Sequence, residues 1–332
     1  MIAARARAAG ALLLAVLVGA AFAAPYLSPH DPARQFPDAA YAPPMRPRMI
    51  DANGEWKAPF VYPVRLEDRL TRQYRVDTAH PMEILWLRNG VLASVDETPG
   101  PWLPLGGDAL GRDILARIVS GARLSLGVAA LATLGALQLG AVLGAVAGFH
   151  GGRLDDALMR LADFVLVLPG IYVILALRAA MPLVLTTTDV FWTIAGVLAV
   201  AGWPPVARGV RAIVATERHK EYAEAAHAIG AGPWRILLRH LLPASTGFLA
   251  IQATILLPAF ILSEATLSFV GLGFPEPASS WGVMLQDAAR VAALSEAPWL
   301  LAPAGAIVAS VLALHLLATR PGQGYRVIDP GL

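Results

Sequence analysis

The chain alternates between long stretches without a charged side chain and short polar connectors. Charge-free runs cover 8–30, 124–149, 190–207, 241–263 and 297–319, the last interrupted only by His315, and the apolar run 161–177 contains Asp163 alone. A helix needs about 20 apolar residues to cross a hydrocarbon core of ~30 Å. Buried helices of soluble proteins are usually shorter and keep a polar stripe. The pattern therefore predicts an all-α integral membrane protein with about six transmembrane helices. The first lies within 1–27, and the others lie near 124–149, 161–179, 190–208, 244–268 and 299–318. Residues 28–107 form a polar insert outside the membrane, and 108–332 form the core.

Composition sharpens this reading. Of 332 residues, 56% are apolar and 15% charged, with a mean hydropathy of +0.57, whereas ordinary globular domains carry about 25% charged residues. Such a chain cannot build an evenly charged exterior for water. The absence of cysteine excludes disulfides, thiolate metal sites and a cysteine nucleophile. A net charge of +2 without a polybasic run argues against nucleic acid as a partner. The seven histidines are scattered without metal-ligand spacing, so no metal or other cofactor is expected.

The basic connectors set an orientation. Arg5, Arg7, Arg153, Arg160, Arg208, Arg211, Arg218, Lys220, Arg235, Arg239, Arg320 and Arg326 fall on one side, against Arg178 and Arg290 in the short loops of the other. This bias predicts both termini in the cytoplasm. The first segment ends in AAFAAP, which also describes a signal-peptide cleavage site, but its apolar run is long enough to span, and an uncleaved signal-anchor is the expectation.

Within the insert, two Asn-Gly pairs sit between apolar runs, in MIDANGEWKAPFVY and ILWLRNGVLASV. Asn-Gly favours the positive φ of hairpin turns, so a small β-rich element is expected. It could touch a delivery protein, gate the pore mouth or simply cap the outer face. After it, Leu110, Ile114, Leu115, Ile118 and Val119 fall at helical spacing with Arg112, Asp113 and Arg117 between them. That suits a helix along the membrane surface, or a plain lead-in to the second crossing.

The loop ATERHKEYAEAAHAIGAGPWRILLRHLLPAS carries the most information. Glu217 to Ile229 reads as one short helix with Tyr222, Ala225, Ala226 and Ile229 on one face. Gly230 can supply the left-handed residue that ends it. Pro233 suits the first turn of a second helix, where its missing N–H is no loss, and Trp234, Leu237, Leu238 and Leu241 form its apolar stripe. A DNA-reading helix–turn–helix is a poor alternative, because the segment is pinned between two membrane helices.

Here the sequence resembles a known family. Glu224-Ala225-Ala226, Gly230 and the HLLP string at His240 to Pro243 resemble the EAA loop of ABC importer permeases. His240 with the preceding Arg239 looks like the oligopeptide and dipeptide (peptide/nickel) branch. LGGDALGRDILARIVSGARLSL is similar to that branch's segment before the second helix, although Gly107 stands where Thr is usual. SEATLSFVGLGFPEPASSWGVML, residues 263–285, resembles its region after the fifth helix. The resemblance covers 103–318 almost continuously and the first helix more loosely, while the insert is longer than in many relatives and the tail after Leu317 departs. It implies a non-catalytic permease subunit of the type I importer fold, working with a sister permease, two cytoplasmic ATPase subunits and an extracytoplasmic substrate-binding protein. It also implies an ATPase-coupling loop over 217–243, with Glu221, Glu224, Ala225, Ala226, Gly230, Pro233, His240 and Pro243 as its marked residues. Gly230→Asp is expected to abolish transport while the protein still inserts.

Independently, the only lysines are Lys57 and Lys220, and neither follows a glycine. A P-loop requires Gly-Lys-Ser/Thr, so the chain does not supply that kind of ATP site. No HExxH or GxSxG string points to an intramembrane enzyme. An ATP-independent carrier or channel is the competing function, but no internal repeat supports it. Gln252, Thr254 and Glu264 are candidates for a translocation path, although helix–helix hydrogen bonds explain the first two equally well. Glu264 must face protein or a wet cavity, because a charge at mid-bilayer costs roughly 2.5–3.5 kcal/mol. Asp163 suits an interfacial position paired with an arginine.

Overall fold

A computed structural model describes residues 2–68, 71–98, 100–168, 173, 186–289 and 297–319. Among the described residues, five helical stretches are long and apolar enough to cross a membrane: 3–22, 114–150, 187–217, 233–269 and 298–318. The expected crossing at 161–179 begins in the last part of a described helix, and its remainder lies largely outside the described residues.

Helix α1 spans Ile2–Phe22 and is followed after one residue by the short helix α2, Ala24–Leu27. Among the described residues the insert then forms three small antiparallel sheets. Strands β1 (Arg48–Ile50) and β2 (Trp56–Val61) pair Ile50 with Trp56 around the first Asn-Gly, where Gly54 has φ +85°. Strands β3 (Val64–Asp68) and β4 (Gln73–Val76) form a hairpin that the sequence did not announce. Strand β5 (Met82–Glu83) adds to β2, while β6 (Leu85–Trp86) pairs with β7 (Ala93–Ser94) around the second Asn-Gly. Both expected hairpins form, with loops longer than the two-residue turn the dipeptides suggest. In the first loop, the Asp51 carboxylate accepts the N–H groups of Asn53 and Glu55 at 2.8 and 2.9 Å. It closes the longer turn that Gly54 enters.

Helix α3 runs unbroken over Ile114–His150, 37 residues or about 55 Å. A separate surface helix before the second crossing does not exist: the 110–119 periodicity is that crossing's own lead-in. The Asp113 carboxylate starts the helix by accepting from the Leu115 N–H at 2.8 Å. Gly151, at φ +67°, ends it. After α4 (Gly152–Val167), helix α5 (Thr187–Glu217) opens on a Thr186–Asp189 capping box and continues through Pro204 and Pro205.

Helices α3 and α5 pack in parallel at backbone contact. A Cβ on Gly140 would lie 2.9 Å from the Trp203 carbonyl, on Gly144 2.3 Å from the Ala207 carbonyl, and on Gly148 2.5 Å from the Arg211 carbonyl. In lipid no hydrophobic effect drives helices together, so close approach at small residues spaced four apart supplies the van der Waals contact instead. The parallel arrangement also means that the chain between α3 and α5 starts at one end of the bundle and finishes at the other.

Helix α6 covers Glu221–Ala228 and α7 Pro233–Ile236. From α7 the chain continues through a π-helical stretch, Leu237–Leu241, and a 3₁₀ turn, Leu242–Ser245, into α8, Thr246–Phe269. The change of helical pitch has a local cause, since Pro243 has no N–H for the carbonyl four residues back. Helix α8 runs antiparallel to α5: Phe248 presses on Gly209 and Phe260 on Gly202. Helix α9 (Trp281–Ala289) packs beside α8, and α10 (Ala302–Ala318) lies against α1, where Gly10 meets Ala313 and Leu316. This is a membrane-helix bundle with a small β-rich insert at one end.

Candidate coupling site

The two ends of the bundle differ in kind. At the insert end, buried charge locks the elements together. Arg112 Nε donates to Asp108 at 2.6 Å and its terminal nitrogens reach Glu276 and Asp287. Arg117 bonds to Asp108, to Asp287 at 3.1 Å and to the Ser279 hydroxyl at 3.1 Å. Both guanidinium side chains are almost wholly buried. Burial works against the Arg112 charge, but the Glu276 and Asp108 carboxylates outweigh it and raise its pKa. Burial pushes Asp287 up, only partly offset by Arg117 and Arg112. The sequence reading missed this network, setting Arg112 and Arg117 on a surface helix or a plain lead-in to the second crossing. Its one signal was the density of charge in DALGRDILAR beside an otherwise charge-free run.

The insert also accounts for the glycine at position 107. At Gly107 a Cβ would stand 2.4 Å from the Ala39 carbonyl, and at Gly111 2.0 Å from that of Phe36. The backbone of 36–42 crosses directly over this segment, which leaves no room for the Thr expected at position 107.

At the opposite end the chain folds into the knob formed by α6 and α7. Its base is fixed to the bundle. Arg218 donates to the Gly148 and Phe149 carbonyls at 3.2 and 2.9 Å, satisfying the end of α3. Arg211 grips Asp155 through two nitrogens, with Nε at 2.9 Å, and Arg208 pairs with Asp163, the arginine partner anticipated for that carboxylate. Glu217, at the end of α5, accepts from Lys220 Nζ and from the Tyr222 hydroxyl, each at 2.6 Å. Burial and that bond hold the phenol proton on, pushing the Tyr222 pKa up to about 12.

Helix α6 starts at Glu221 rather than Glu217, because residues 218–220 turn between α5 and α6. It ends in a Schellman turn: Gly230 has φ +84°, its N–H bonds the His227 carbonyl at 3.0 Å, and the Ala231 N–H reaches back to Ala226 at 3.0 Å. Pro233 opens α7 with Gly232 as its N-cap. The inward face is Ala223 and Ala226, in one buried cluster with Val210 and Val214 of α5 and with Ile236, Leu237 and Leu241. The expected grouping of Tyr222, Ala225, Ala226 and Ile229 on one face is therefore corrected: Ala226 points inward and the other three outward.

The outward surface is strongly apolar for a segment that ends the bundle. Ile229 is 86% exposed and Trp234 64%, with Tyr222 and Leu238 also exposed. Glu221, Glu224, Pro233 and Pro243 are exposed around them, and His240 is half-buried. An exposed patch of aliphatic and aromatic side chains rimmed by charge marks a protein–protein surface.

The path candidates separate. Gln252 is half-buried on α8, and the Thr254 hydroxyl bonds its own helix at the Ile251 carbonyl, 2.7 Å away. Glu264 is fully enclosed within the subunit. Its carboxyl accepts from the Ser268 hydroxyl at 2.8 Å and faces Ser125 of α3 and Ser280 before α9. Of the two surroundings expected for Glu264, protein or a wet cavity, the described residues of this subunit supply protein.

Comparison with known proteins decides the family. The family model described as the binding-protein-dependent transport system inner membrane component matches residues 140–331. The chain belongs to this family. A second model, the N-terminal transmembrane domain of oligopeptide transport permease C, matches residues 5–44. The oligopeptide transport system permease protein of Bacillus subtilis is 35% identical over 243 residues, covering 73% of this chain and 76% of that one. The di/tripeptide transport system permease protein of Pseudomonas aeruginosa is 31% identical over 325 residues, 97% and 87% of the two chains. The glutathione transport system permease protein of Pectobacterium atrosepticum is 35% identical over 240 residues, 72% and 76%. The chain is a multi-pass inner-membrane permease of an importer, whose relatives work with an ATPase and a binding protein.

Proposed function

We propose that this permease moves peptides or closely similar small solutes inward, driven by ATP hydrolysis in partner subunits that dock on the α6–α7 knob. Peptide permeases among the relatives, at 31–40% identity, support the substrate class. The stoichiometry is a pairing with a sister permease, two cytoplasmic ATPase subunits and one extracytoplasmic binding protein. Both termini and the knob are cytoplasmic, a reading supported by the excess of basic residues in the short loops and terminal segments assigned to that side.

The observation that carries the mechanism is the helical continuity from Pro233 to Phe269. A push on Trp234 or Leu238 enters a rod that runs without a loop into α8. Through Gly202 and Gly209 that rod bears on α5, which bears on α3 through their glycine contact. Closure of an ATPase dimer around the knob can therefore tilt three membrane helices together. On the other end, the ion network of Asp108, Arg112, Arg117, Glu276 and Asp287 keeps the insert, α3 and α9 as one block. Passage of solute runs along the half-exposed side of α8 that includes Gln252 and Thr254, against the sister subunit. The test is ATP hydrolysis by the complete complex in vesicles, titrated with peptides bound to the cognate binding protein. Stimulation by peptides supports the reading. Stimulation by no peptide, or transport without any ATPase subunit, overturns it.

A further inference from the structure

The insert bears a second exposed apolar surface, far from the knob. At the β6–β7 hairpin, Trp86 is 59% exposed and Leu87 77%. Leu87 also holds φ +54°, a left-handed conformation that a leucine adopts only when its surroundings impose it. A loop facing water would place glycine or asparagine there. The hairpin is fastened to α2, just beyond the first membrane helix: the Leu92 N–H donates to the Tyr26 carbonyl at 2.6 Å. Tyr26 and Phe22 are themselves 62% and 75% exposed.

The height of this cluster follows from helix length. Tyr26 stands 19 residues after Arg7 along α1 and α2, which at 1.5 Å per residue is about 29 Å. That matches the ~30 Å hydrocarbon thickness. With Arg7 at one headgroup boundary, Tyr26 and the hairpin bonded to it sit at the other. Arg123 of α3 marks the same level, donating to the Ala21 and Phe22 carbonyls at 2.6 and 2.8 Å. Below it, α1 turns Leu12 and Val16 outward, so the hairpin continues a surface that already lies in lipid.

We propose that the β6–β7 hairpin, together with Phe22 and Tyr26, is an interfacial anchor seated in the headgroup boundary of the bilayer on the insert's side. Tryptophan and tyrosine favour that depth, having an apolar ring and a polar edge. Exposed Arg88, next to Leu87, faces the lipid phosphates. The anchor fixes the insert's height against the bundle, so that whatever docks on it is held at a constant distance from the pore mouth.

The natural lack of cysteine allows a direct test in the complete complex, reconstituted in phosphatidylethanolamine–phosphatidylglycerol vesicles. Single spin labels are placed at Leu87→Cys, Trp86→Cys and Tyr26→Cys. Collision rates with oxygen, which concentrates in lipid, and with a water-soluble nickel chelate are compared. A label at Val16→Cys and a free nitroxide in buffer calibrate the scale. The proposal expects oxygen-to-nickel ratios at 87 and 26 several-fold above the buffer value and approaching that at 16. Ratios equal to the buffer value overturn it in favour of a water-exposed loop. Shielding from both reagents overturns it in favour of a protein cover. If Trp86→Cys fails to fold, the other two labels carry the test.

Discussion

Gly230 offers the sharpest quantitative prediction. Its φ of +84° closes the turn between the two knob helices, and a Cβ added there would meet no atom within 4 Å. A substitution therefore brings backbone strain alone, about 1–2 kcal/mol for an ordinary residue and less for asparagine, whose side chain can hydrogen-bond locally. Such a change shifts the population of the closed turn by a factor of roughly 5–30. This is too small to abolish transport outright through the turn alone, so the complete loss expected from the sequence for Gly230→Asp is revised to a partial one, with measurable activity retained. The assay is peptide-stimulated ATP hydrolysis and uptake by reconstituted complexes carrying Gly230→Asn, Gly230→Ala and Gly230→Val. Hydrogen exchange at the 230 and 231 amides is followed alongside. Activity should fall in that order, exchange should quicken in the same order, and global unfolding should stay unchanged. The reasoning fails if Gly230→Ala matches wild type in both readouts. It also fails if Gly230→Asn is worse than Gly230→Ala, because side-chain size and not backbone conformation would then decide.

Other predictions follow from the packing. Gly144→Ala forces a Cβ against the Ala207 carbonyl at 2.3 Å and should destabilise the complex by about 1–3 kcal/mol. Gly196→Ala, on the same bundle with nothing within 4 Å, should stabilise α5 by about 0.5–1 kcal/mol; thermal unfolding in detergent compares the two. Arg117→Met leaves Asp108 and Asp287 short of a partner and should cost about 3–5 kcal/mol. Adding Asp287→Asn should recover part of that loss in the same unfolding assay. Glu264→Gln can still bond Ser268 and should transport at near wild-type rate, whereas loss of uptake in an intact complex would show that the carboxyl takes part in passage.

The membrane helices were legible because the absence of charge over some 20 residues has few explanations. Five of the expected crossings, the two Asn-Gly hairpins and the glycine-ended knob all follow from local rules. Two kinds of feature were not legible. The phase of α6 was misread because Ala223–Ala226 and Tyr222–Ala225–Ile229 are both acceptable apolar stripes. Periodicity does not say which one a partner will later cover, and here the larger side chains stay outside. The buried charges were not legible because Arg112 and Arg117, with Asp108 close by in sequence, look solvated until Glu276 and Asp287 arrive from far along the chain.

The most direct test of the coupling account is proximity at the knob itself. Ile229, 86% exposed on the turn between α6 and α7, is replaced by cysteine and tagged with a photoreactive benzophenone in the complete complex. The account predicts a covalent adduct with the nucleotide-hydrolysing subunit, and a yield that changes when ATP is bound. An adduct with lipid or binding protein instead, or labelling of that cysteine by a membrane-impermeant reagent on whole cells, would contradict it.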